Sequence, residues 1–140
     1  MDDSKNISIL IVEDHDDTRE WLTAFLSSEY TCFAVADAAA AMRLIVARPF
    51  NLVLTDIHLP DASGLEVCRL ISRIRLDTII MVMTGMSDIG YRLTALDHGA
   101  WYCIQKPMDP EKLMVWVKAG LRCQALARAR LPYKQQARSA

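Results

Sequence analysis

The sequence predicts an α/β fold, a flavodoxin-like, doubly wound, five-stranded parallel sheet in strand order 2-1-3-4-5 with helices on both faces. Two observations carry this. Five short β-prone runs alternate with five stretches of helical periodicity, the pattern of repeated βαβ units. One run, Leu52-Val53-Leu54, carries no charge and is bounded by turn formers, as a buried strand is. Right-handed crossovers and short connections leave few strand orders, and 2-1-3-4-5 is the common five-stranded solution.

The elements follow in order. Ile7–Val12 is the first strand and ends on Glu13-Asp14. Asp16-Asp17-Thr18 offers caps for a helix through about Ser28, with Trp21, Leu22, Phe25 and Leu26 on its apolar face. Tyr30–Ala36 is the second strand. Asp37 caps an alanine-rich helix that turns Ala41, Leu44 and Ile45 inward and closes at Pro49. The third strand ends on Asp56, and a Pro60–Gly64 turn leads into a helix to about Arg73 with Val67, Leu70, Ile71 and Ile74 as its apolar face. Thr78–Thr84 is the fourth strand, followed by Gly85 and a helix from about Ser87 to His98. Gly99 ends that helix. Ala100–Gln105 is the fifth strand and stops at Lys106-Pro107. Asp109-Pro110 then supplies a cap and a first-turn proline for the last helix.

At 140 residues and 52% hydrophobic composition the chain suits one globular domain with a full core. Residues 1–120 are expected to form it, with 121–140 as a basic helical extension or linker. A net charge of -1 argues against direct nucleic-acid binding by the domain. No apolar run approaches bilayer length, and the start lacks a secretory pattern, so a cytoplasmic location without membrane contact is expected. Cys32, Cys68, Cys103 and Cys123 lie far apart with no zinc spacing. They read as reduced thiols, and Cys32 and Cys103 as small hydrophobes in strand-like runs.

In a parallel sheet all carboxyl ends share one edge, and ligands bind in the crevice outside it. Four strands deliver polar groups there: Glu13-Asp14, Asp56, Thr84 and Lys106. Each has a plainer reading taken singly. Asp14 is also placed to cap a helix, Thr84 to be a β-branched strand residue, and Lys106 to lie along the surface. Four on one edge favour a site. Three carboxylates brought together need a cation, and hard oxygen ligands suit Mg2+. Asp14 and Asp56 are expected as direct ligands and Glu13 as a ligand through water. Lys106, the Thr84 hydroxyl and the ion would neutralise a phosphoryl group transferred to Asp56, and Gly85 leaves room beside it.

With these residues in place the chain resembles the receiver domains of bacterial two-component response regulators. The resemblance covers roughly Ile7 to Ala119. It rests on Ile-Val-Glu-Asp, on Leu-Thr-Asp-Ile-His-Leu-Pro-Asp-Ala-Ser-Gly, on Met-Thr-Gly and on Lys-Pro. It implies phosphoryl transfer to Asp56 from a sensor histidine kinase or histidine phosphotransfer protein, with small phosphodonors as substitutes. It implies the His58 main-chain carbonyl as a further metal ligand and a cis Lys106-Pro107 bond. A switched surface on the fourth helix, fifth strand and fifth helix, for a downstream protein or output domain or for a phosphorylation-dependent dimer, is also expected. Such a domain is a phosphoacceptor and not an enzyme acting on an outside substrate.

Two positions depart from the family pattern. Receivers usually carry Tyr or Phe three residues before the site lysine. Here Cys103 stands there, with Trp101 and Tyr102 just before it and Tyr91 on the preceding helix as a further aromatic. His58 follows the acceptor by two residues where Met is more usual, and with Met86 it borders the family's hydrolytic water path. It reads either as tuning acyl-phosphate lifetime or as a solvated loop histidine. His15 and His98 read as surface residues. Among rivals, an aspartate-nucleophile phosphohydrolase of the haloacid-dehalogenase type wants a second carboxylate at position 58, and a topoisomerase-primase nuclease site wants Asp-x-Asp. A receiver-fold interaction scaffold without phosphorylation is the third alternative. In the tail, Arg122, Arg128, Arg130, Lys134 and Arg138 meet no acid within 121–140, which reads as a solvated linker helix, a docking arm for an acidic partner or a connection to an output domain.

Overall fold

The computed structural model describes residues 6–75, 77–85 and 88–130, with Arg130 described by its backbone alone. The chain alternates β1 (Ser8–Val12), α1 (Asp16–Ser27), β2 (Thr31–Val35), α2 (Ala38–Ala47), β3 (Leu52–Asp56), α3 (Gly64–Ile74), β4 (Ile79–Thr84), α4 (Ile89–Asp97), β5 (Tyr102–Gln105) and α5 (Pro110–Arg130). All strand pairs are parallel, in the order β2-β1-β3-β4-β5.

Helices cover both faces of the sheet, so the central strands are apolar along most of their length, with polar residues confined to their ends. Every residue of β3 is buried. The period of two still sorts their side chains. Leu10, Val12, Val53 and Val82 pack with Ala41, Ile45, Val67, Cys68 and Ile71 from α2 and α3. Ile9, Ile11, Leu52, Leu54, Met81 and Met83 meet Leu22 and Leu26 of α1 and Leu113, Val117 and Leu121 of α5. β2 lies at the edge and is only partly covered.

Several local details differ from the expectation. The cap of α1 is His15, whose Nδ1 accepts from the Thr18 amide at 3.4 Å, because Asp16 and Asp17 already lie inside the first turn. Trp21 is 39% exposed and stacks on Phe25 at 5.5 Å; Leu22 and Leu26 alone are buried on that helix. Ile74 is also exposed, and Cys68 takes the inward place on α3, one turn before Ile71. Asp37 caps α2 and Asp109 accepts from the Glu111 amide as anticipated. Gly99, with φ of 102°, supplies the left-handed residue after α4.

The last helix crosses residue 120 without a break. Its far half is docked and not simply solvated. The Gln124 amide donates to the Asn51 carbonyl at 3.1 Å and accepts from Asn51 Nδ2 at 3.1 Å. Asn51 Oδ1 in turn accepts from the Ser8 amide at 2.9 Å. Arg128 Nε donates to Asp77 Oδ2 at 2.7 Å. This clamp sits at the amino edge of the sheet, where β1, β3 and β4 begin. Cys123 faces solvent beside it, whereas Cys68 and Cys103 are buried and Cys32 is half-buried. No helix among the described residues is long and apolar enough to cross a membrane. Lys134 and Arg138 lie outside the described residues.

Candidate functional site

Strand ends build the site. β1 and β3 are neighbours, so Glu13-Asp14 and Asp56 emerge side by side at the carboxyl edge. β5 pairs with β4 up to Thr84↔Gln105, and the Lys106 amide donates to the Thr84 carbonyl at 2.8 Å. The lysine side chain therefore starts from a fixed backbone. The Lys106-Pro107 bond is cis. Gly64 brings α3 against the acceptor strand: a Cβ there would overlap the Asp56 carbonyl oxygen.

Lys106 Nζ lies 2.6 Å from Asp56 Oδ2 and 2.7 Å from Glu13 Oε1. Glu13 is fully buried, and its other oxygen accepts from the His15 amide at 3.3 Å. Burial pushes the Glu13 carboxyl up; the Lys106 hydrogen bond opposes that, and the charge of Asp56 adds to it. Burial alone would lower the Lys106 ammonium, but its hydrogen bonds to Asp56 and Glu13 outweigh this and hold it above the ordinary lysine range. Asp56 Oδ1 accepts from the His58 amide at 3.1 Å. Asp14 is exposed at the mouth. One carboxylate oxygen from each of Glu13, Asp14 and Asp56 lies within 4.8 Å of the others, an all-oxygen set that suits a hard divalent ion.

The remaining predicted residues surround this core less directly. Thr84 is buried on the same edge, and its hydroxyl donates to the Ile104 carbonyl at 3.5 Å, away from Asp56. The Gly85 amide donates to Asp88 Oδ2 at 2.6 Å. His58 is not a merely solvated side chain: its Nε2 is 3.1 Å from Asp88 Oδ1, and its ring meets Tyr91 edge-on at 5.2 Å. Those contacts with His58, and then the Gly85 amide, hold the Asp88 carboxyl below the usual carboxylate range. Cys103 is buried, with its thiol 3.8 Å from the Arg92 carbonyl, and burial raises it. Trp101 and Tyr102 are half-buried in a cluster with Trp116, Tyr102 stacking on that indole at 3.8 Å. Met86 and the predicted helix start at Ser87 lie outside the described residues.

Asp88 is the residue that sequence reasoning missed. Its position at the start of a helix reads as an ordinary cap, and nothing in the sequence marks a partner 30 residues upstream. The nearest signal was the unusual histidine at position 58.

A parallel 2-1-3-4-5 sheet with a lysine-bridged acidic pair on its carboxyl edge defines a receiver-type signalling domain. The family model of the response regulator receiver domain matches residues 9–118, and the chain belongs to that family. It is 36% identical over 118 residues to the response regulator ArlR of Staphylococcus epidermidis, covering 84% of this chain and 53% of that protein. It is 37% identical over 128 residues to the TorCAD operon transcriptional regulatory protein TorR of Escherichia coli O157:H7, covering 91% of this chain and 55% of that one. The chain thus spans about half the length of these curated relatives. Among solved structures, the signal receiver domain of an HD domain-containing protein from Pseudomonas fluorescens superposes with a TM-score of 0.84 at 28% identity, covering 89% of this chain and 93% of that one. NtrX from Brucella abortus gives 0.81 at 26% identity, covering 89% and 30%.

Proposed function

We propose that Asp56 accepts a phosphoryl group from the phosphohistidine of a sensor kinase or phosphotransfer protein. The observation that carries this is Lys106 bridging Asp56 and Glu13 while Asp14 completes an oxygen cluster around the same point. Asp56 Oδ attacks phosphorus as the P–N bond of the donor imidazole breaks, and the bonding pair returns to the ring nitrogen. An acyl phosphate forms. The Lys106 ammonium stays within reach of the new phosphoryl oxygens, and the Thr84 hydroxyl becomes their second donor once it leaves the Ile104 carbonyl. Glu13, Asp14, Asp56 and the His58 main-chain carbonyl would hold Mg2+, which neutralises phosphoryl charge when bound. An open groove lined by Asp17, Thr18, Trp21, Pro107 and Met108 reaches Lys106 and gives the donor a place to dock. The acceptance of phosphate would be read out by α4, β5 and α5.

Incubation with acetyl phosphate and Mg2+, followed by intact mass, tests this directly. One added phosphoryl group is expected in the wild type and none in Asp56→Asn or after chelation. No addition to the wild type would favour a receiver-fold scaffold that works without phosphorylation.

A further inference from the structure

Asp88 occupies the N-cap position of α4 yet does not cap it. An N-cap carboxylate ordinarily accepts from the second or third amide of its helix, here Gly90 or Tyr91. The Asp88 side chain makes no such bond. It is turned back towards the phosphoacceptor edge, with Oδ2 on the Gly85 amide at 2.6 Å and Oδ1 on His58 Nε2 at 3.1 Å. Its own amide closes the turn onto the Gly85 carbonyl at 3.2 Å. His58 links this arrangement to Asp56, because its amide donates to Asp56 Oδ1 at 3.1 Å. A continuous chain thus runs from the acceptor through His58 and Asp88 to the residue next to Thr84.

We propose that Asp88 is a two-position latch. In the resting form its carboxylate holds Gly85 and His58 and leaves α4 uncapped; on phosphorylation of Asp56 it releases Gly85 and turns to cap α4. The inference rests on Asp56 being the phosphoacceptor and goes on to name how its state reaches the fourth helix.

Supply and demand of hydrogen bonds give the physical reason. A phosphoryl group on Asp56 brings three strong acceptor oxygens to an edge where the neighbouring Thr84 hydroxyl and Gly85 amide are both engaged elsewhere, on Ile104 and Asp88. Moving the Gly85 amide towards the phosphoryl group removes it from Asp88. Its carboxylate then has the unsatisfied amides of the α4 first turn within one residue's reach. Each position offers Asp88 comparable partners, which is what a switch biased by one modification requires. The output falls on α4, whose Ile89, Tyr91, Leu93 and Leu96 are all exposed apolar side chains. Tyr91 moves with it, because it is both an α4 residue and the ring packed against His58.

Residue-resolved amide exchange on the full chain, with Mg2+ and with or without acetyl phosphate, tests the latch. In the phosphorylated wild type the Gly90 and Tyr91 amides should exchange at least fivefold more slowly than in the resting protein. Asp88→Ala should take up the phosphoryl group but show no such slowing. Should Asp88→Ala not fold, His58→Ala serves: it removes a side chain that is 59% exposed and should slow the same two amides before phosphorylation. Phosphoryl uptake with unchanged exchange at Gly90 and Tyr91, or equal slowing in Asp88→Ala, would overturn the latch and leave the phosphoacceptor reading standing. No uptake by the wild type would overturn both.

Discussion

Three carboxylates share one ammonium at the mouth of the site, and this imbalance has a measurable consequence. Lys106 touches Glu13 and Asp56, while Asp14 has no cation bonded to its side chain among the described residues. Repulsion within the cluster opposes the folded state, and a divalent ion would relieve it. Binding to the folded form alone stabilises it by about 2.7 kcal/mol at a hundred times the dissociation constant. Millimolar Mg2+ should therefore raise the thermal midpoint of the wild type. In Asp14→Asn, the apo protein should lose part of its internal repulsion and the Mg2+ response should shrink; calorimetric scans with and without the ion check both. The site residues were legible because each is a charged or hydroxyl side chain directly after an apolar run. His58 was legible as an unusual residue, but its pairing with Asp88 was not, since that depends on where two loops meet.

At the level of elements, both ends of α2 are satisfied from across the sequence as well as from within it. The carboxylate of Asp61, in the turn before α3, accepts from the Ala38 and Ala39 amides at 2.9 Å each, adding to the local cap of Asp37 on α2. At the other end of α2, Arg75 Nη2 donates to the Ile45 carbonyl at 2.9 Å and to the Val46 carbonyl at 3.3 Å. The backbone amides of Ala38 and Ala39 hold the Asp61 carboxyl below its ordinary value. A carboxylate with a depressed folded value contributes its stability fully above the unfolded value and loses it as pH falls through the folded one. The stability gap between wild type and Asp61→Asn should accordingly be constant from neutral pH down to the ordinary carboxylate range and then close at lower pH. Urea midpoints measured across that range check the sign. Local signals found Asp37, which sits three residues from the amide it caps. They could not find Asp61, 22 and 23 positions from its amides, and helical periodicity alone placed Trp21 and Ile74 inward although each is 39% exposed.

Over the whole molecule, the strand order and the helix sequence were readable because buried parallel strands leave uninterrupted apolar runs. The docking of the last helix was not readable. Its arginines meet no acid nearby in sequence, and Arg128 finds Asp77 from 51 positions away. Gln124 is almost wholly buried, and its amide answers both the carbonyl and the side chain of Asn51. Truncating it takes the acceptor from Asn51 Nδ2 and leaves the Asn51 carbonyl to the Ile79 amide alone, so Gln124→Ala should destabilise the domain by about 1–3 kcal/mol in equilibrium denaturation. The effect of a solvated residue would stay within about 0.5 kcal/mol.

The anchoring of α5 also leaves Cys123 in a useful place. It is the most exposed of the four cysteines, and it rides on a rod bolted to the edge of the sheet farthest from Asp56. With Cys32 replaced and the buried Cys68 and Cys103 left in place, a maleimide dye would attach there and serve as a stationary landmark from which the travel of a second probe on the fourth helix can be surveyed.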